Sequence, residues 1–241
     1  EVYIGDENIQ TAKMIAGEIS YKSQAVNLPA TPVLLENRAT GDYELALRPT
    51  IGQTAFAFNL TDKDLEKRAV FNDLNFRRAM SVAVNRQQIN EIAFFGLGKP
   101  TQYTGFDADT ASFVTEELKS SWIQFDPKLA AQLLDKAGVV DKNNDGLRDL
   151  PSGKKFELNF LYATQGAPTE VVEIIANNWT EVGVKTTIKE VTSDEYRNSQ
   201  SANDLSVLSW TMGRPLATLA TNTETLLPPY SSFFDLRTGM L

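Results

Sequence analysis

Cysteine and histidine are both absent from the 241 residues. Together these absences exclude disulfides, thiolate nucleophiles, Cys/His zinc centres and histidine acid–base chemistry. No run of about 18 apolar residues occurs, so no segment reads as a membrane-spanning helix. Basic residues are outnumbered, 23 Lys and Arg against 31 Asp and Glu, and they are scattered along the chain. A net charge of −8 without a basic cluster argues against nucleic acid or an anionic membrane surface as a partner, because neutralising phosphates needs grouped cations. Gly-x-Ser-x-Gly, P-loop and His-Glu-x-x-His motifs are missing, as are internal repeats. The Gly96-Leu97-Gly98 triplet follows a helical pattern and lacks the strand-then-helix context of a dinucleotide fingerprint. The sequence therefore names no catalytic residue, no metal ligand set and no cofactor.

What is present is ordinary globular composition, 42% apolar and 22% charged, in a length that suits one large or two small domains. The chain starts at Glu1 without Met and carries no leader pattern, so both ends read as cut edges of something longer.

The stretch from Phe71 to Pro100 organises the rest. Asp73 is placed to cap a helix whose apolar residues Phe76, Met80, Ala83 and Val84 recur at helical spacing. Asn85 and Arg86 interrupt, and Ile89, Ile92, Ala93, Phe94 and Phe95 begin a second apolar stripe. Gly96, Gly98 and Pro100 close it. The pattern predicts two tandem helices.

Upstream, the spacing predicts a helix from Glu7 to Ile19 capped by Asp6. It predicts an extended connection through Pro29 and Pro32, then strands over Tyr43–Arg48 and Thr54–Leu60. Asp62 to Arg68 reads as a solvated helical turn. Downstream, Thr101 to Phe125 reads as an irregular connection, and Asp126-Pro127 opens a helix that Gly138 ends. Asp141, Asn143, Asp145 and Gly146 follow the first half of a calcium loop. The twelfth position is Ser152 rather than Glu, which favours an Asx-rich turn. Strand Lys155–Tyr162, helix Pro168–Val182 and strand Val184–Val191 have the lengths of a βαβ crossover. A short polar helix over Asp194–Ser201 and a strand over Leu205–Trp210 complete an α/β fold, a mixed sheet flanked by helices.

Ser209-Trp210-Thr211-Met212-Gly213-Arg214 is the candidate site. Ligands of α/β sheets collect beyond the carboxyl ends of strands, and this segment offers an aromatic plate, an adaptable thioether, an open backbone and a fork of donors. Composition alone favours Trp210 and Met212 in the core, with Arg214 as a surface charge. Two other readings stay open. One is a hydrolase using acids brought together by folding, since the adjacent pairs Glu116–Glu117 and Asp194–Glu195 point apart. The other is an interaction or chaperone module using the aromatics from Tyr103 to Trp122.

Several of these segments, FNDLNFRRAMSVAVNR with its Gly-x-Gly-x-Pro loop, FDPKLAAQLLDKAG and the Trp179–Val191 block among them, resemble the large extracytoplasmic solute-binding proteins of the oligopeptide/dipeptide/nickel ABC-transporter class. The resemblance covers nearly the whole chain. It implies a single α/β lobe, the second of a two-lobed receptor, with residues 1–40 and 215–241 as crossover or edge segments toward a missing lobe. It further implies capture of a small-molecule, oligopeptide or oligosaccharide ligand for an ABC permease, a monomer, and a periplasmic or extracellular membrane-anchored location. Trp210 matches the site tryptophan of peptide receptors in the class, but Gly213 stands where they carry the Asp that pairs the peptide amino group. Arg197 falls near a position from which an arginine approaches the ligand. Half a clamshell by itself is expected to bind weakly.

Overall fold

The computed structural model describes residues 7–22, 26, 28–47, 53–102 and 112–212. Contacts divide the chain into two units, Glu1–Thr50 and Ile51–Leu241.

In the first unit, helix α1 spans Glu7–Ile15. It stops short of the expected Ile19 because Gly17 turns left-handed, at φ +72°, and the last turn closes on the Met14 and Lys13 carbonyls. The expected cap, Asp6, lies outside the described residues. The expected extended connection is instead a 3-10 turn at Leu28–Ala30 followed by helix α2, Thr31–Asn37. Pro32 sits in the first turn of α2, where its missing N–H would have had no partner, so the proline starts the helix rather than preventing it. Tyr43 to Leu47 alternate in polarity but form no strand, since among the described residues no neighbouring strand supplies a ladder. Tyr43 bonds back to the Leu34 carbonyl instead (2.5 Å).

Among the described residues, the second unit is built on four strands. β1 (Gln53–Phe58) runs antiparallel to β4 (Val207–Met212), with Phe58 opposite Val207 and Ala55 opposite Trp210. β2 (Glu157–Tyr162) runs parallel to β3 (Lys185–Glu190), with Phe160 opposite Ile188. β2 and β4 approach one another, so a parallel and an antiparallel pair lie together in the expected mixed α/β arrangement. The link from β2 to β3 is α8, Thr169–Glu181, ended by Gly183 at φ +90°. Leu158, Phe160 and Tyr162 alternate into the core, whereas Asn159 faces water. On that solvated face Lys185 pairs with Glu157 (3.2 Å) and the Thr187 hydroxyl donates to Asn159 (3.0 Å). Among the described residues β3 pairs with β2 alone, and Lys185 and Lys189 stand along it.

The two expected tandem helices are formed, α4 (Leu74–Val82) and α5 (Arg86–Phe94), and α3 (Leu65–Asn72) precedes them. Phe71 belongs to α3. The Asp62–Arg68 stretch is only partly solvated, because Asp62 is buried and accepts from the Ser206 hydroxyl (2.9 Å). Asp64 caps α3, Asp73 caps α4 and Asn85 caps α5, each with its side chain on a free backbone N–H. At the α4–α5 junction the Arg86 guanidinium donates to the Ser81 carbonyl and hydroxyl, and burial lowers its pKa to about 10. α6 (Glu116–Ser120) and α7 (Pro127–Lys136) follow, with Asp126 capping α7 as expected. α9 spans Ser193–Ser201 behind the cap Thr192.

The core joins both strand pairs to the helices. Phe58 lies 5.4 Å from both Phe71 and Trp179, and Phe56 meets Phe160 edge-on at 5.7 Å. Burying each such side chain contributes about 1.5–3 kcal/mol. Arg148, 13% exposed, gathers the ends of two helices: it donates to the Val182 carbonyl at the close of α8 and to the Ala131 and Val139 carbonyls around α7.

The Asx turn is formed. The Asp141 carboxylate accepts from the backbone N–H groups of Asn144 (2.7 Å) and Gly146 (2.9 Å), Asn143 from Asp145, and Asp145 from Leu147. Desolvation raises the Asp141 pKa, but the surrounding N–H groups outweigh it and hold the carboxyl below its ordinary value. Among the described residues no three acidic, His or Cys side chains are grouped to hold a metal ion, and no helix is long and apolar enough to cross a membrane.

Candidate functional site

The carboxyl ends of β2 and β3 open side by side. Ala163, Thr164 and Gln165 leave β2, while Glu190, Val191, Thr192 and Ser193 lead from β3 into α9, and the two segments line an open polar cleft with Glu195. Its walls are fixed by local bonds. The Ser193 hydroxyl donates to Gln165 (2.8 Å), the Thr192 hydroxyl accepts from the Glu195 N–H (3.1 Å), and Glu195 pairs with Lys189 (3.2 Å).

Trp210, near the carboxyl end of β4, packs against Ala163, Val191, Tyr196 and Leu205, the small apolar cluster beneath this cleft. The indole is half-buried, so it is neither sealed in the core nor free in solvent. Its ring centre lies 5.3 Å from that of Tyr196, tilted by 33°. Tyr196 is itself fixed, since its hydroxyl accepts from the N–H of Ser209 (2.9 Å). Burial pushes the Tyr196 phenol pKa up, and hydrogen bonding to Ser209 offsets this only in part. On another side the indole rests on the backbone of Gly166.

The remaining candidates are placed as follows. Thr211 and Met212 continue β4 opposite Thr54 and Gln53. Gly213 and Arg214 lie outside the described residues. Arg197 is 61% exposed on α9 and pairs with Asp194 (3.8 Å). Sequence reasoning missed Gly166, Tyr196 and the cleft residues Gln165 and Ser193. Gly166 read only as a strand break and Tyr196 as part of a polar helix; the available signal was the polar turn after each of two parallel strands.

Of the adjacent acids that a hydrolase could have used, one is held in an ion pair. Glu116 is paired with Lys119, and that hydrogen bond, first among the causes, holds its pKa below the ordinary value. A general acid needs the opposite shift. Of the aromatic stretch, Tyr103 and Phe106 lie outside the described residues, Phe113 is exposed, and Trp122 is half-buried with the Arg78 guanidinium 4.5 Å from its ring centre.

Over 206 residues the chain is 26% identical to a probable ABC transporter-binding protein of Deinococcus radiodurans, covering 83% of this chain and 34% of the relative. Over 215 residues it is 26% identical to di/tripeptide-binding protein 3 of Pseudomonas aeruginosa, covering 86% of this chain and 35% of that one. The solved structure of an oligopeptide-binding protein, OppA, superposes with a TM-score of 0.71 at 26% identity, over 97% of this chain and 37% of the other. The chain thus spans about a third of the length of the relatives it matches, and its fold is that of part of a two-lobed binding protein. The family model described as "Bacterial extracellular solute-binding proteins, family 5 Middle" matches residues 2–227, and the chain belongs to that family.

Proposed function

We propose that the full-length protein is the substrate-binding component of an ABC importer, which closes two lobes over a small polar or peptide-like solute and hands it to the permease subunits. The supporting observation is Trp210, an indole held half-buried beside an open polar cleft where the ends of β2, β3 and β4 converge. An aromatic plate next to hydroxyl, amide and carboxylate groups suits an extended polar ligand, the apolar ring covering its carbon skeleton and the polar groups orienting it. The receptor acts as a monomer without catalysis, in the periplasm or tethered outside the cell. The second unit contributes one wall of the site.

Trp210, Thr211, Met212, Gly213, Arg214 and Arg197 are the proposed contacts. Gly213 replaces the carboxylate that peptide receptors of this class use for the α-ammonium group. An Arg at 214 suits a carboxylate, a phosphate or sugar hydroxyls. The relatives named for di- and tripeptides make a peptide-like solute the first candidate.

Mass spectrometry of low-molecular-weight material released from the purified full-length protein tests the proposal. A defined solute, lost in Trp210→Ala, is the expected result. No retained solute, together with no calorimetric response to a panel of peptides, oligosaccharides and carboxylates, would overturn it.

A further inference from the structure

Gly166 lies in the turn after β2, where its N–H donates to the Ala163 carbonyl (2.8 Å). Its φ is outside the left-handed range, so the backbone there would accept any L residue. What excludes a side chain is the indole of Trp210. A Cβ on Gly166 would stand 2.3 Å from Cε3 and 2.8 Å from both Cδ2 and Cζ3, well inside contact distance and against a rigid ring rather than a flexible tip. The indole's other aromatic neighbour cannot yield, because Tyr196 is buried and its hydroxyl is bonded to the N–H of Ser209, the residue before Trp210.

We infer that Gly166 is a positioning residue for solute capture: it is the seat that sets the height and tilt of the Trp210 indole at the cleft. The inference rests on the reading of Trp210 as a binding plate. A methyl group at 166 lifts or tilts the indole and changes which ligand shape the plate can meet. The absence of a side chain at 166 is thereby a determinant of specificity.

The test uses full-length protein labelled with 5-fluorotryptophan, with Trp210→Phe assigning the fluorine resonance of Trp210. In Gly166→Ala that resonance moves by more than its linewidth, while those of Trp122 and Trp179 hold their positions. An unmoved Trp210 resonance overturns the inference. A thermal cycle gives a second readout should the variant be poorly folded. Gly166→Ala lowers Tm by several degrees in the parent protein but not in a Trp210→Ala background, where the obstructing ring is gone. Equal lowering in both backgrounds also overturns it. Capture is read separately, from the mass of solute released by each variant. Gly166→Ala retains at least tenfold less than the parent. Full retention by Trp210→Ala refutes the binding plate and the inference with it, whereas loss in Trp210→Ala with no Gly166–Trp210 coupling refutes the seat and leaves the plate standing.

Discussion

The indole N–H of Trp179 donates to the carbonyl oxygen of Met80 at 3.0 Å, joining α8 to the last turn of α4. That carbonyl is one of the acceptors a helix leaves unpaired at its C-terminal end, since the chain tightens there and Val84 bonds to Ser81 instead. Trp179 thus fills the core against Phe58 and Phe160 while satisfying a buried acceptor.

Trp179→Phe removes ring volume and strands the Met80 carbonyl. The expected cost is about 2–4 kcal/mol. It is measured as a lower midpoint of chemical unfolding with an unchanged slope.

Arg148 makes a sharper case because one side chain serves two helix ends. Arg148→Ala is expected to cost about 2–4 kcal/mol, and Arg148→Lys nearly as much, since a single ammonium cannot reach three separate carbonyls. Its ionic partner Asp135 is 60% exposed, so Asp135→Asn should cost under about 1 kcal/mol. Equal losses from Asp135→Asn and Arg148→Ala would mean that the ion pair, and not the carbonyl contacts, carries the effect.

Stability should fall at acid pH through identifiable carboxylates. The Ser152 hydroxyl and N–H hold the Glu66 carboxyl below its ordinary 4.5, and the Asx-turn carboxyl of Asp141 lies below its ordinary 3.8 despite the opposing effect of desolvation. The unfolded chain takes up these protons first. The stabilisation is therefore fully present above the ordinary values and is lost as pH falls through the lower native ones. Thermal midpoints measured from pH 6 to pH 3 should decline, and the decline should be shallower in Glu66→Gln and Asp141→Asn.

Gly213 gives a prediction about the ligand. With no carboxylate at that position, a free peptide amino group gains no counter-charge from residue 213 itself. In calorimetric titration of the full-length protein, N-acetyl-trialanine should bind no more weakly than trialanine. A tenfold preference for the free amine, about 1.4 kcal/mol, would mean that another acid, such as Glu190 or Glu195 of the cleft, meets the ammonium group.

How much of this was legible in the sequence depended on how local the determining contact is. Asp73 and Asp126 read correctly as caps because a cap needs only the next three residues. The βαβ order was legible from alternation in Leu158, Phe160 and Tyr162 followed by the apolar stripe of α8. Helix α2 was hidden because Pro29 and Pro32 signal an interruption equally well at the start of a helix as along an extended chain. Tyr43 to Leu47 misled because alternation reports a possible face and not the presence of a partner strand. At the site, Trp210 stood out as an aromatic at a strand end. Gly166 and Tyr196, which hold it, could not be found that way, since both contacts are made across intervening elements and neither leaves a trace in nearby residues.

The cationic border of β3 bears on life at high concentration. A strand bonded along one side only is a template on which a second molecule could build. With Lys185 and Lys189 spaced along that strand and paired with Glu157 and Glu195, a docking copy would have to strip water from these charges and disturb their pairs. A second copy of this chain is therefore turned away from stacking into fibrils at that border.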